Sequence, residues 1–354
     1  MFDMTSSREE RSCTMRNRID VLPEREPVRI GILGCSDIAR RRFLPALQKA
    51  RNVELVAIAS RDVEKAKQWA PGAGYAAMRY EELLSSEQVD LVYLSLPNYL
   101  HEEWAMRALE QGKHVIGEKP LALSAEAVAR LTGYAEQKGL LLYENIMYLH
   151  HPQHHLIKKM IASNCIGKIR SLRTGFAFPL SDRNNFRMKT EQGGGAFLDL
   201  ARYPLSAALF FLNGATYSFK GHSFFRGDLN VGMNACAVTD AGEAFSCSIG
   251  FEQQYECWYE IIGDKGKLRL DRAYTTPADQ ENTLVLETGS KVTSIPISSA
   301  DHFALMVEHV GELILQRKGY QGAHRDAQRL ARFTEQLQAG CDRVQLDAEG
   351  PLPL

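Results

Sequence analysis

Over the first 150 residues the apolar positions fall into short continuous runs. Residues 28–33 (Val-Arg-Ile-Gly-Ile-Leu) form the first, and Gly34 ends it; others stand at 53–59, 89–96, 114–116 and 140–143. The segments between them, 38–50, 63–70, 101–111 and 124–138, read as helices. Buried strands alternating with helices of this length predict a parallel sheet with helices on both faces. Past residue 150 the pattern changes. A helix at 153–163 precedes runs rich in β-branched and aromatic residues at 168–178, 216–226, 232–240, 243–251, 256–263, 266–271 and 283–296. Turn signals such as Asp240-Ala241-Gly242 and Gly263-Asp264-Lys265-Gly266 separate several of them, which predicts a mostly antiparallel sheet. Helices at 205–212, 301–316 and 323–339 would cover one of its faces. The other face is left open, the kind of surface that meets a partner subunit, so a homodimer or homotetramer formed through this sheet is expected.

The chain is therefore expected to be α/β in two parts. Residues 1–27 read as a flexible polar leader, 28–148 as a doubly wound domain, and 149–345 as an α+β domain with a large open-faced sheet, the final helix able to fold back onto the first domain. Length agrees, since 354 residues suffice for two domains. A net charge of −1 gives no electrostatic case for nucleic acid, and no apolar run is long enough to span a bilayer. The leader lacks the apolar core of a secretory signal. Seven cysteines (13, 35, 165, 236, 247, 257 and 341) include no CxxC pair. That pattern fits reduced thiols in a cytoplasm rather than a disulfide scaffold or structural zinc.

Chemistry enters where the first strand turns into the first helix. Gly34-Cys35-Ser36-Asp37-Ile38-Ala39 is close to G-x-G-x-x-G/A, with Ser36 and Ala39 in the second and third glycine positions. Such a turn presents free backbone N–H groups to a pyrophosphate, as in a Rossmann dinucleotide domain. At the end of the second strand stands Ser60-Arg61 instead of the acid that would hold a ribose 2′-hydroxyl. Arg61 can pair with a 2′-phosphate, and Asp62 reads as the start of the next helix, so NADP(H) is expected over NAD(H). Further on, Glu118-Lys119-Pro120 follows an apolar strand. A lysine held there beside a cofactor can act as an acid toward a carbonyl, with Glu118 tuning its charge.

These motifs, with Leu96-Pro97-Asn98, His101 and Gly193-Gly194-Gly195-Ala196-Phe197-Leu198-Asp199, resemble the Gfo/Idh/MocA oxidoreductase family over about residues 28–340. The stretch Glu144-Asn145 to His154, together with Tyr203-Pro204 and 207–212, is most similar to the NADPH-dependent sugar 3-ketoreductases of that family, which act on nucleotide-linked keto-deoxyhexoses. The resemblance implies that Lys119 gives or takes the proton at the substrate oxygen, and that Asp199 and Tyr203 stand where many members carry Asp-x-x-x-His. It implies that Leu96, Pro97 and Asn98 pass beneath the nicotinamide ribose, that His101 caps a helix or touches the nicotinamide region, and that Arg187 approaches cofactor or substrate. It also sets Asn145 and Tyr274 on the substrate side. Residues four apart on a helix share a face, which would aim Asp199 and Tyr203 at one site, although Pro204 prefers a first helical turn. A nearby lysine would lower the Tyr203 pKa, leaving either residue able to donate.

Other readings stay open on sequence. An aldose or dihydrodiol dehydrogenase would use the same parts, and a dinucleotide-binding sensor would keep the fold without turnover. His150, His151, His154 and His155 could suggest a metal, but no carboxylate stands at motif spacing. They are expected to line a helix entry, with no metal bound. Tyr255, Tyr259 and Tyr274 stand on or beside strands, where one or two could stack on a sugar or base, although strand tyrosines more often serve packing.

Overall fold

A computed structural model describes residues 26–347 except 70–73, 181 and 183; nearly all of the expected leader lies outside the described residues. The first sheet contains β1 (Val28–Leu33), β2 (Val53–Ala59), β3 (Ala76–Met78), β4 (Leu91–Leu94), β5 (His114–Gly117) and β6 (Leu142–Glu144). All neighbours pair parallel, in the order β3-β2-β1-β4-β5-β6. Helices lie on both faces, which is why β1 and β4 are apolar almost without interruption. In open sheets of this kind ligands bind outside the carboxyl ends of the strands, where the order reverses. Gly34, Ser60, Ser95 and Glu118 leave the carboxyl ends of β1, β2, β4 and β5.

The second sheet has nine strands: β7 (Ile169–Ala177), β8 (Tyr217–Arg226), β9 (Leu229–Thr239), β10 (Ala244–Gly250), β11 (Glu256–Gly263), β12 (Lys267–Asp271), β13 (Asn282–Thr288), β14 (Lys291–Ile297) and β15 (Cys341–Gln345). Their order is β14-β13-β12-β11-β7-β10-β9-β8-β15. Most pairs are antiparallel, but β7–β10 and β8–β15 are parallel. Along β9, Met233, Ala235 and Ala237 are buried, whereas Asn234, Cys236 and Val238 are exposed, so one face carries the core and the other faces outward.

Helices Tyr320–Ala339 and His302–Gln316 tie the sheets together. The first packs on helix Ala125–Lys138 and β6, and the second on β1 and β2. One apolar cluster consequently runs from Ile30 and Tyr93 through Tyr203 and Tyr259 to Met306.

Three features differ from the pattern-based reading. The chain between 70 and 89 holds β3 and helix Tyr80–Ser85, both too short to leave a periodic signal. The run 283–296 is a hairpin turning at Gly289 (φ +59°). The helix expected over 38–50 opens as a π-helical turn, Ala39–Phe43, before Leu44–Leu47 continues as α-helix.

Candidate active site

At the end of β1, Gly34 has φ +111°, and a Cβ there would lie 2.5 Å from the Ser95 carbonyl oxygen. Only glycine lets the turn pass this close to the end of β4. Ser36, in the second glycine position, shares a short hydrogen bond with Ser95 and accepts one from the Ala39 N–H. This turn forms one end of a cavity of about 680 Å³. Gly34, Cys35, Ser36, Asp37 and Ile38 line it, as do Ser60, Arg61, Leu96, Pro97, Asn98, Glu118, Lys119, Arg187, Asp199 and Tyr203. Fifteen of the candidate residues therefore meet in one place.

Arg41, Arg42 and Lys65 join Arg61 on the wall of that cavity, a concentration of positive charge that suits a phosphorylated ribose. Asp62 also lines this wall, but its carboxylate is engaged locally, accepting the N–H of Glu64 at 3.0 Å as the next helix begins. A backbone cradle that a Cβ would fill, together with four cations, fits a dinucleotide phosphate.

The opposite end is built around Lys119. Its ammonium donates to the Asp199 Oδ1 and to the Asp199 carbonyl oxygen, both at 2.7 Å. The second Asp199 oxygen accepts from Arg187 Nε at 2.7 Å. Burial opposes ionisation of Asp199, but Lys119 and Arg187 outweigh it and hold the carboxyl well below the usual range. The glycine run supplies this arrangement. Gly193, at φ +73°, packs so closely that a Cβ would lie 2.8 Å from that of Asn98, and the Asn98 amide donates to the Gly193 carbonyl at 2.8 Å. The Gly195 N–H then bonds the Arg187 carbonyl at 2.8 Å, drawing the Arg187 segment beside Asp199.

Asp199 lies in helix Ala196–Leu200 and Tyr203 in helix Arg202–Phe211, joined through the helical Ala201. Pro204 stands in the first turn of the second helix, where its missing N–H is harmless. Both side chains reach Lys119, in different ways. The ammonium pairs with the carboxylate and sits 5.1 Å from the centre of the tyrosine ring. The expected lowering of the Tyr203 pKa is reversed. Burial raises it well above the ordinary value, and the Asp199 and Glu118 carboxylates push the same way. The phenol stays a protonated hydrogen-bond donor. Phe176 at 4.7 Å and Tyr274 at 5.5 Å, between ring centres, hold it in place.

Four candidates fall outside the cavity lining. Ala39 is fully buried against the first sheet. His101 is also fully buried; its ring nitrogens lie 2.7 Å from the Pro120 carbonyl oxygen and 2.8 Å from that of Leu96, so it braces the two loops instead of touching a ligand. Asn145 is buried behind Glu118 and donates to its Oε1 at 2.7 Å. Tyr274 is buried with its hydroxyl 2.5 Å from that of Thr174, supporting Tyr203 from below. Glu118 faces Tyr93, whose hydroxyl donates to it at 2.5 Å.

Sequence reasoning missed Arg41, Arg42 and Lys65, although the run Arg40-Arg41-Arg42 in the first helix was a signal. It also missed a buried ion pair, Arg202 with Glu144, whose only trace was adjacency to Tyr203 and Asn145. The histidines serve packing. His151 caps helix Pro152–Ala162, His150 meets the Tyr143 hydroxyl at 2.7 Å, and His154 meets that of Tyr259 at 2.8 Å. Among the described residues no helix is long and apolar enough to cross a membrane.

Comparison with known proteins agrees with this geometry. Residues 28–146 match the oxidoreductase family model with an NAD-binding Rossmann fold, and residues 154–269 match the GFO/IDH/MocA C-terminal domain. The chain is 37% identical over 319 residues to a dTDP-3,4-didehydro-2,6-dideoxy-alpha-D-glucose 3-reductase of Actinomadura kijaniata, covering 89% of this chain and 96% of that one. A protein of the same description from Saccharopolyspora spinosa is 37% identical over 280 residues, covering 78% and 84%. Among solved structures, a 3-ketoreductase from Actinomadura kijaniata in complex with NADP and TDP-benzene superposes with a TM-score of 0.87 at 35% identity, covering 91% of this chain and all of that one.

Proposed function

The chain belongs to the Gfo/Idh/MocA oxidoreductase family, and from that premise we propose that it reduces the 3-keto group of a nucleotide-linked deoxysugar with NADPH. One observation carries the reading: the Lys119 ammonium, fixed by Asp199, opens onto the same cavity as the Gly34 turn and the Arg61 cluster. A relative at 37% identity is described as a 3-reductase of such a sugar, and a structural neighbour holds NADP and a TDP compound.

Bound NADPH supplies the hydride for the carbonyl carbon. The chain supplies the proton and the geometry. As the carbonyl oxygen gains charge, the Lys119 ammonium delivers a proton to it and the neutral Tyr203 hydroxyl donates a hydrogen bond. Asp199 stays ionised through the neutral range and keeps Lys119 in position. Solvent then returns a proton to Lys119. In this reading residues 28–148 hold the cofactor and 149–345 present the sugar. The open sheet face, with exposed Asn234, Cys236 and Val238, mediates a homodimer or homotetramer. The described cysteines are free thiols, in keeping with a cytoplasmic setting.

The test is NADPH consumption with a panel of nucleotide-linked 3-keto-deoxysugars, free keto sugars, aldoses and dihydrodiols. Turnover is expected with the first class. Preferential NADP-dependent oxidation of an aldose or dihydrodiol would assign the site to a dehydrogenase instead. Tight NADP binding without turnover on any of them would make the chain a sensor.

A further inference from the structure

Behind the cavity wall lies a second ionic contact, between Glu144 at the end of β6 and Arg202 at the start of helix Arg202–Phe211. Their side chains are 3% and 4% exposed, and Glu144 Oε1 lies 3.4 Å from Arg202 Nε. Glu144 Oε1 also accepts the Leu121 N–H at 3.1 Å, two residues beyond Lys119. Arg202 immediately precedes Tyr203. The pair thus joins the loop that carries Lys119, on the first sheet, to the helical turn that carries Tyr203, on the second. His101 holds the same loop from its other side through the Pro120 carbonyl.

The contact is poor as a source of stability. A well-formed ionic hydrogen bond is shorter, and Glu144 Oε2, Arg202 Nε and Arg202 Nη1 have no hydrogen-bond partner despite being buried. A buried pair with unsatisfied atoms gains little over a well-packed apolar pair of the same volume, because both ions have left water. Its position suits a different task. Lys119 and Tyr203 approach within 5.1 Å from separate sheets, and no shared helix or strand fixes that spacing.

Resting on the reading of Lys119 and Tyr203 as the reacting pair, we propose that Glu144 and Arg202 are positioning residues that hold the Lys119 loop and the Tyr203 turn in register. They touch neither cofactor nor sugar and act through their neighbours. Replacing both by uncharged residues of similar size removes the link without stranding a charge.

The test is the double variant Glu144→Gln/Arg202→Met, read for thermal midpoint, NADPH affinity, kcat and KM for the keto sugar. It is expected to fold with a midpoint near that of the parent and to bind NADPH within about twofold. Its kcat falls by about 100-fold, the loss that a misplacement of about 1 Å produces. A parallel measurement needs no turnover: the rate at which an amine-acylating reagent labels Lys119, followed by peptide mass spectrometry. Labelling accelerates in the double variant because Lys119 is no longer held against Asp199. Unchanged labelling with unchanged kcat would overturn the proposal. So would a double variant that cannot fold, since the pair would then belong to stability. If the parent reduces no keto sugar, the functional reading fails, and the labelling rate still decides whether the pair positions Lys119.

Discussion

Replacing Lys119 and Tyr203 separately distinguishes proton donor from hydrogen-bond donor. Lys119→Met keeps the stem but removes an ammonium that makes two 2.7 Å bonds to Asp199 at a side chain only 10% exposed. Asp199 keeps Arg187 as its remaining cation, so the stability loss should be about 1.5–3 kcal/mol, the range for hydrogen bonds to a charged group. Loss of a general acid should lower kcat by about 10²–10⁴. Tyr203→Phe removes one hydroxyl and keeps the ring that packs on Phe176 and Tyr274. Its phenol is held protonated by burial and by two carboxylates, so it contributes one neutral hydrogen bond to the oxygen. That predicts a loss of about tenfold in kcat, near 1.4 kcal/mol, with little change in stability. The assay is single-turnover NADPH oxidation with saturating sugar, alongside thermal unfolding of each variant. If Tyr203→Phe lost more than Lys119→Met, or Lys119→Met fell less than tenfold, Lys119 would not be the donor.

Three further outcomes follow from the same geometry. Arg61→Ala should raise the KM for NADPH by about 10–100-fold and leave that for NADH nearly unchanged, as expected on losing a charged bond to phosphate; equal effects on both cofactors would remove Arg61 from the phosphate end. Gly34→Ala sets a methyl 2.5 Å from the Ser95 carbonyl at a φ that alanine avoids, and should abolish cofactor binding measured by fluorescence titration; retained binding would show that the cofactor does not need the close approach of this turn to Ser95. Acid should destabilise the protein through His151 and His302. Burial, with His151 adding to it at His302, depresses both to about 4, against the ordinary 6.5. His151 faces His154 and His302, while Asp301 and Arg42 act on His302 from outside the pair. The unfolded chain therefore binds more protons between 6.5 and 4, and stability present above 6.5 declines as pH falls through that window. Urea unfolding should lose about 2 kcal/mol or more between pH 7 and pH 5, and an unchanged midpoint would contradict the buried neutral state.

What could be read from the chain divides by range. The Gly34 turn, the Ser60-Arg61 strand end and the Lys119 loop each lie within one βα unit, where local pattern and position in the sheet coincide. That is why twelve of the fifteen candidates in the cavity come from the first sheet's loops, with Arg187, Asp199 and Tyr203 added from the second half of the chain. The pieces that went astray depend on side-chain contacts that no motif records, near in the chain for His101 and far for Tyr274. His101 looks like a ligand until Pro120 and Leu96 are seen to occupy both its nitrogens. Tyr274 resembles a substrate contact until Thr174, one hundred residues earlier, takes its hydroxyl. The Tyr203 error is the most instructive. A lysine beside a tyrosine argues for a lowered pKa, but the sign depends on where the charge sits. Here the ammonium is already committed to Asp199 and meets the ring, leaving the phenol to burial and to two carboxylates. A residue pair named from sequence gives the participants; burial first, and then the carboxylates of Asp199 and Glu118, decide which of them holds the charge.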